Sequence, residues 1–113
     1  DVREALCNLL KKLGFQIYPT SNGLDTIEEY KKSLQNGSTY DLVVLDLTVP
    51  GGMGGKETIG KLMEIDPEIN AVICSGYSND PIMSEYEKYG FKGVIKKPYT
   101  IQDLKTTLDS VLN

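Results

Sequence analysis

The stretch from Asp41 to Gly55 constrains this chain more than any other. It opens with Leu42-Val43-Val44-Leu45, a short apolar run that is β-branched in its middle and shows no helical period. Such a run reads as a strand buried on both faces of a parallel sheet. It ends on a carboxylate, Asp46, and passes into a loop that holds Pro50 and four glycines. In open α/β sheets, ligands and chemistry gather beyond the carboxyl ends of the strands. Asp46 therefore has two readings at this stage, as a reactive acid or as the cap of the turn that follows.

The rest of the chain alternates helix and strand patterns around that run. Val2, Ala5, Leu6, Leu9, Leu10 and Leu13 recur at helical spacing, with Gly14 as the stop. Phe15 to Tyr18 reads as a short strand closed by Pro19, and a second helix is expected from about Leu24 to Leu34. Lys56 to Asp66 forms a third helical pattern that buries Ile59, Leu62 and Met63. Ala71 to Cys74 reads as a buried strand leading into Ser75-Gly76-Tyr77. Pro81 opens a fourth helix that Gly90 terminates. Gly93 to Ile95 is the last predicted strand, followed by Lys96-Lys97-Pro98 and a helix capped by Thr100. Repeated βα units predict an α/β fold, a doubly wound parallel sheet with right-handed crossovers and helices on both faces. At 113 residues the chain has the size of one domain.

Composition excludes several classes of function. A formal charge of −4 and a pI near 4.8 leave no basic surface to replace phosphate counterions, which argues against direct nucleic-acid binding. No apolar run is long enough to span a bilayer and no basic-then-apolar leader is seen, so neither membrane contact nor a secretory signal is predicted. Cys7 and Cys74 lack CxxC or metal spacing and read as reduced structural thiols of a cytoplasmic domain. Histidine is absent, which removes Ser-His-Asp and Cys-His catalysis from this segment.

Three predicted loops converge at the carboxyl edge of the sheet, offering Asp46, Ser75 with Gly76, and Lys97 before Pro98. Taken singly, the serine is a common turn former and the lysine a common solvated side chain. Together they supply a carboxylate nucleophile, a hydroxyl and an ammonium. That set suits phosphoryl transfer to an aspartate, where catalysis is mostly positioning and charge neutralisation.

On these residues the chain resembles a response-regulator receiver domain over nearly its whole length. Asp46 matches the phosphoacceptor position, and Pro50 follows four residues later, as in that family. Ser75 matches the switch hydroxyl, Gly76 the small residue beside it, and Lys97-Pro98 the lysine and proline of the last loop, often joined by a cis bond. The segments DLTVPGGMGGKETI and SGYSNDPIMSEYEKYGFKGVIKKPYTIQDL are also similar to the receiver modules of hybrid sensor histidine kinases. The resemblance implies a flavodoxin-like receiver fold. It implies phosphorylation of Asp46 by a histidine kinase or phosphotransfer domain carrying phosphohistidine, with autodephosphorylation and a conformational switch. It further implies Mg²⁺, held by Asp46, the Thr48 carbonyl and an acidic pair that follows the family's first strand.

Two departures stand out. Aligning Val2-Arg3 with the start of the family's first helix puts the first strand and its acids before residue 1, so Mg²⁺ is expected to be weakened or absent in this segment. The switch aromatic, three residues before the lysine, is Val94 here, while Tyr77 and Tyr99 stand near the site but not at that position. In the family's strand order 2-1-3-4-5, the absent strand lies between Phe15–Tyr18 and Leu42–Leu45. Four strands and a homodimer through the open sheet edge are therefore expected. Two alternatives stay open: a receiver-like docking module that works without phosphorylation, and a flavodoxin-like flavin binder.

Overall fold

A computed structural model describes residues 2–46, 54–76 and 81–112. The elements in chain order are α1 (Val2–Lys12), α2 (Gly23–Asn36), β1 (Val43–Asp46), α3 (Gly55–Ile65), β2 (Ala71–Ser75), α4 (Pro81–Ser84), α5 (Tyr86–Tyr89), β3 (Gly93–Lys96) and α6 (Ile101–Leu112). The three strands form one parallel sheet in the order β1-β2-β3. Val43 to Asp46 pair with Ala71 to Cys74, and Val72 to Ser75 pair with Gly93 to Lys96.

Because side chains alternate across a strand, the sheet splits the core in two. Val43, Leu45, Ala71 and Ile73 point to one face and pack with Ile27 of α2, Ile59 and Leu62 of α3, and Phe91. Val72, Cys74 and Ile95 point to the other and pack with Leu6 and Leu10 of α1 and Leu104 and Leu108 of α6. β2 is the central strand and all five of its residues are buried, as its unbroken apolar pattern demands. This is the doubly wound parallel arrangement that the alternating pattern predicts.

Caps set where the helices begin and end. The Asn22 side chain accepts the Asp25 N–H at 2.9 Å, opening α2. At the start of α6, the Thr100 hydroxyl accepts the Asp103 N–H while the Asp103 carboxylate accepts the Thr100 N–H, a reciprocal capping box. After α1, Gly14 at φ +98° closes a Schellman motif in which Phe15 N–H donates to the Leu10 carbonyl at 3.1 Å. Gly90 at φ +107° ends α5 and also lies so close to α3 that a Cβ there would fall 2.1 Å from the Met63 sulfur.

Two expectations are corrected. Residues 15 to 18 do not form a strand, so the described residues contribute three strands rather than four. A parallel strand exists only through its ladder, and among the described residues β1 pairs with β2 alone. A groove of about 1000 Å³, lined by Leu6, Leu10, Ile17, Tyr18, Val44 and Leu45 among others, separates Phe15–Tyr18 from β1. The single helix expected from Pro81 to Gly90 is two short ones, α4 and α5, broken at Glu85, whose φ −114° and ψ 32° are not helical. Ile82 and Met83 before the break and Phe91 after it are all buried, and the bend lets both ends reach the core.

Candidate functional site

The strand ends place the three sequence-predicted side chains along one edge. Asp46 is the last residue of β1 and Ser75 the last of β2, while Lys97 follows β3 directly. The Lys97 backbone N–H donates to the Ser75 carbonyl at 3.0 Å, which extends the β2–β3 ladder one step and fixes where the lysine side chain starts. From there it reaches over the end of β2 to β1. Its ammonium donates to both carboxylate oxygens of Asp46, at 2.9 Å to Oδ2 and 3.2 Å to Oδ1. The side chains keep only 17% and 10% of their surface in contact with solvent. This ion pair is therefore partly desolvated, and its Coulomb attraction is screened less than that of a surface pair.

Ser75 is almost wholly buried beside this pair, at 1% exposure. Gly76 follows it, and a Cβ there would meet the Lys97 Cβ at 3.8 Å, an ordinary contact, so a small side chain fits. The Lys97–Pro98 peptide is cis. Val94 is half-buried and packs with the α2/α3 side of the core. Tyr99 is half-buried on the opposite side, against the cluster of α1, β2 and α6. Thr48 and Tyr77 lie outside the described residues, as does Pro50.

One neighbour of the site was not singled out from sequence as functional. Cys74 stands opposite Asp46 in the β1–β2 register and is fully buried. Burial pushes its thiol up to about 11, the Asp46 charge adds to that rise, and Lys97 opposes it. Parallel register is the signal that would have found it, since cross-strand partners share a face. Burial raises the Tyr99 phenol, with Cys74, then Asp46, then Cys7 adding to it.

Asp46 is the site's one acid among the described residues, where no three His, Cys, Asp or Glu side chains come together as a metal would need. A hard divalent cation takes several oxygen ligands. The described residues alone therefore do not fit Mg²⁺.

The receiver-domain profile of response regulators matches residues 1–109. The chain belongs to the response-regulator receiver domain family. This receiver is 29% identical over 111 residues to the chemotaxis protein CheY of Thermotoga maritima, covering 97% of this chain and 88% of that one. It is 27% identical to sporulation initiation phosphotransferase F of Bacillus subtilis, covering 98% of this chain and 85% of the relative. Sensor kinase CckA of Brucella abortus matches at 25% identity over 98% of the receiver but only 11% of its own length. Among solved structures, the CheX–CheY–BeF3–Mg complex of Borrelia burgdorferi superposes with a TM-score of 0.83 at 25% identity, covering 97% of the receiver and 80% of that chain. A Clostridium thermocellum receiver domain protein superposes with a TM-score of 0.81 at 21% identity, covering 99% and 86%.

The receiver is thus a phosphoacceptor-type signalling module of two-component systems, which disposes of the flavin alternative. Receivers as a class bind Mg²⁺ and work with histidine kinases or phosphotransfer proteins. No helix among the described residues is long and apolar enough to cross a membrane.

Proposed function

We propose that Asp46 is the residue that accepts the phosphoryl group, with Lys97 and Ser75 as its partners. The observation that carries this reading is the two-pronged Lys97 contact to the carboxylate at 2.9 and 3.2 Å, made across 51 residues of sequence. A carboxylate oxygen of Asp46 attacks the phosphorus of a phosphohistidine on a kinase or phosphotransfer domain. The P–N bond breaks, the electron pair leaves with the imidazole, and an acyl phosphate forms. Lys97 then exchanges its carboxylate contact for a phosphoryl oxygen, a charge-assisted hydrogen bond. The Ser75 hydroxyl, already at the strand end, donates to a second phosphoryl oxygen as its loop closes with Gly76. In hydrolysis, water attacks phosphorus and the P–O bond to the acyl oxygen breaks, which returns the carboxylate and releases phosphate.

Mg²⁺ in this reading draws on Asp46, the Thr48 carbonyl and carboxylates beyond the described residues, and no step above is routed through it. The reading places the receiver in the cytoplasm, as a module of a phosphorelay protein of the hybrid histidine kinase type. The edge of β1 away from β2, which no strand covers among the described residues, and its groove support pairing with a second copy, which light scattering at micromolar concentration tests; a stable monomer refutes it. Incubating the intact protein with Mg²⁺ and acetyl phosphate, followed by mass spectrometry, tests the chemistry. One phosphoryl group on Asp46, lost in Asp46→Asn, is expected. Phosphate on Ser75, or its persistence in Asp46→Asn, overturns the assignment.

A further inference from the structure

The edge of the sheet opposite Asp46, where the strands begin, holds a pocket of about 510 Å³ that the site around Asp46 does not use. Its volume is that of an ordinary ligand pocket. Phe15, Tyr30, Tyr40, Ile69 and Leu112 supply the apolar walls, and Asp41, Asp66 and Glu68 are the charged residues that line it. Both tyrosines are fixed through their hydroxyls. Tyr30 donates to Asp66 Oδ2 at 2.7 Å, and Tyr40 donates to Glu29 Oε2 at 2.6 Å. The two rings stack at 6.5 Å between centroids, with Tyr18 edge-on to Tyr40 at 5.7 Å. The aromatic wall is therefore preformed, and a ligand meets it without the cost of ordering it.

The polar lining narrows the ligand to a cation. Asp66 is engaged already, taking the Tyr30 hydroxyl and the Glu68 N–H at 3.1 Å. The carboxylates of Asp41 and Glu68 are exposed and make no hydrogen bond or ion pair among the described residues. The Lys92 ammonium donates to the Glu68 carbonyl at 3.1 Å and to Asn70 Oδ1 at 2.8 Å, so it pairs with neither carboxylate. Ring faces attract a cation through their quadrupole, and the acids through their charge. A guanidinium answers both, because its plane stacks on a ring while its edge forks onto a carboxylate. The net charge of −4 draws a basic partner towards the protein.

We propose that this pocket docks an arginine side chain of a basic partner peptide, with the Tyr40 ring under the guanidinium plane and Asp41 and Glu68 at its N–H groups. β1 runs between the pocket and Asp46, so a docked arginine leaves the acceptor edge open. The proposal does not rest on the phosphoacceptor assignment.

The test titrates isotope-labelled protein with an end-blocked Gly-Gly-Arg-Gly-Gly peptide and follows the amide resonances by NMR. Shifts concentrated at residues 39–41 and 68–70 are expected. Citrulline in place of arginine keeps the shape and removes the charge, and binding should weaken by about tenfold or more. A lysine peptide should also bind more weakly, since its ammonium has no plane to stack. Asp41→Asn with Glu68→Gln should weaken the arginine peptide as citrulline does, and neither carboxylate supports the fold. Glu57→Gln with Glu87→Gln removes the same charge from exposed positions on α3 and α5, outside the pocket, and should leave the affinity nearly unchanged. No binding of the arginine peptide, equal binding of the citrulline or lysine peptide, or equal losses in the two double variants overturns the proposal.

Discussion

Removing the Lys97 ammonium is the sharpest perturbation of the site. Lys97→Met keeps most of the side chain's length and apolar stem but leaves Asp46 facing the strand ends without its cation. Two unit charges 2.9 Å apart attract by roughly 6 kcal/mol at an effective dielectric near 20. Desolvation of both groups cancels most of that gain. The penalty on removing one partner is different in kind: the carboxylate, only 10% exposed, stays buried without its cation. Breaking a buried pair this way costs about 3–5 kcal/mol, and the residual exposure of both groups favours the lower end, about 3 kcal/mol. Asp46→Asn should cost less, about 1 kcal/mol, because the lysine can swing its ammonium into water. The double variant Lys97→Met with Asp46→Asn should then be more stable than Lys97→Met alone, with a coupling of about 2 kcal/mol in the cycle. Urea denaturation of the four proteins, read as midpoint shifts at constant slope, measures this. A Lys97→Met cost below about 0.5 kcal/mol, or additive single effects, would show that the pair is worth no more than a surface contact.

Gly93→Ala places a Cβ 2.9 Å from the Val111 side chain and 3.2 Å from that of Thr107, so these side chains of α6 must give way; thermal unfolding should show a loss of roughly 1–3 kcal/mol, and an unchanged midpoint refutes the close approach. The Cys74 thiol, held up near 11 by burial, stabilises the fold fully below the ordinary thiol range; as pH climbs from about 8.5 towards 11 the unfolded chain ionises first, and up to roughly 3 kcal/mol is lost. Urea midpoints across that range should fall less steeply in Cys74→Ala. Mg²⁺ should bind these 113 residues only weakly, since Asp46 is the one acid at the site among the described residues; calorimetry showing tight binding would refute this. Phosphorylation should move amide resonances across residues 82 to 95 only modestly, because Val94 has no large side chain to swing; large shifts throughout that segment count against it.

Much of this protein was legible before any coordinates. Period and punctuation located α1, α2, α3, α6 and all three observed strands, because each carries an apolar stripe or run bounded on at least one side by a cap, a glycine or a proline. The meeting of Asp46, Ser75 and Lys97 at one sheet edge was legible too, since Asp46 and Ser75 end recognisable strands and Lys97 directly follows one. Tertiary structure decided what depends on neighbours. Phe15–Tyr18 has strand composition, yet a strand is defined by a partner's backbone, and among the described residues a groove lies between it and β1, which pairs with β2. The helix pattern from Pro81 to Gly90 is locally continuous, yet burying Ile82, Met83 and Phe91 together bends it at Glu85. That Lys97 grips Asp46 with both oxygens, that Cys74 lies in register beneath them, and that Tyr99 rather than Val94 faces α1 are facts of register and of sheet face. Sequence specifies which residues a strand ends on; only the pairing of strands specifies which of those ends meet.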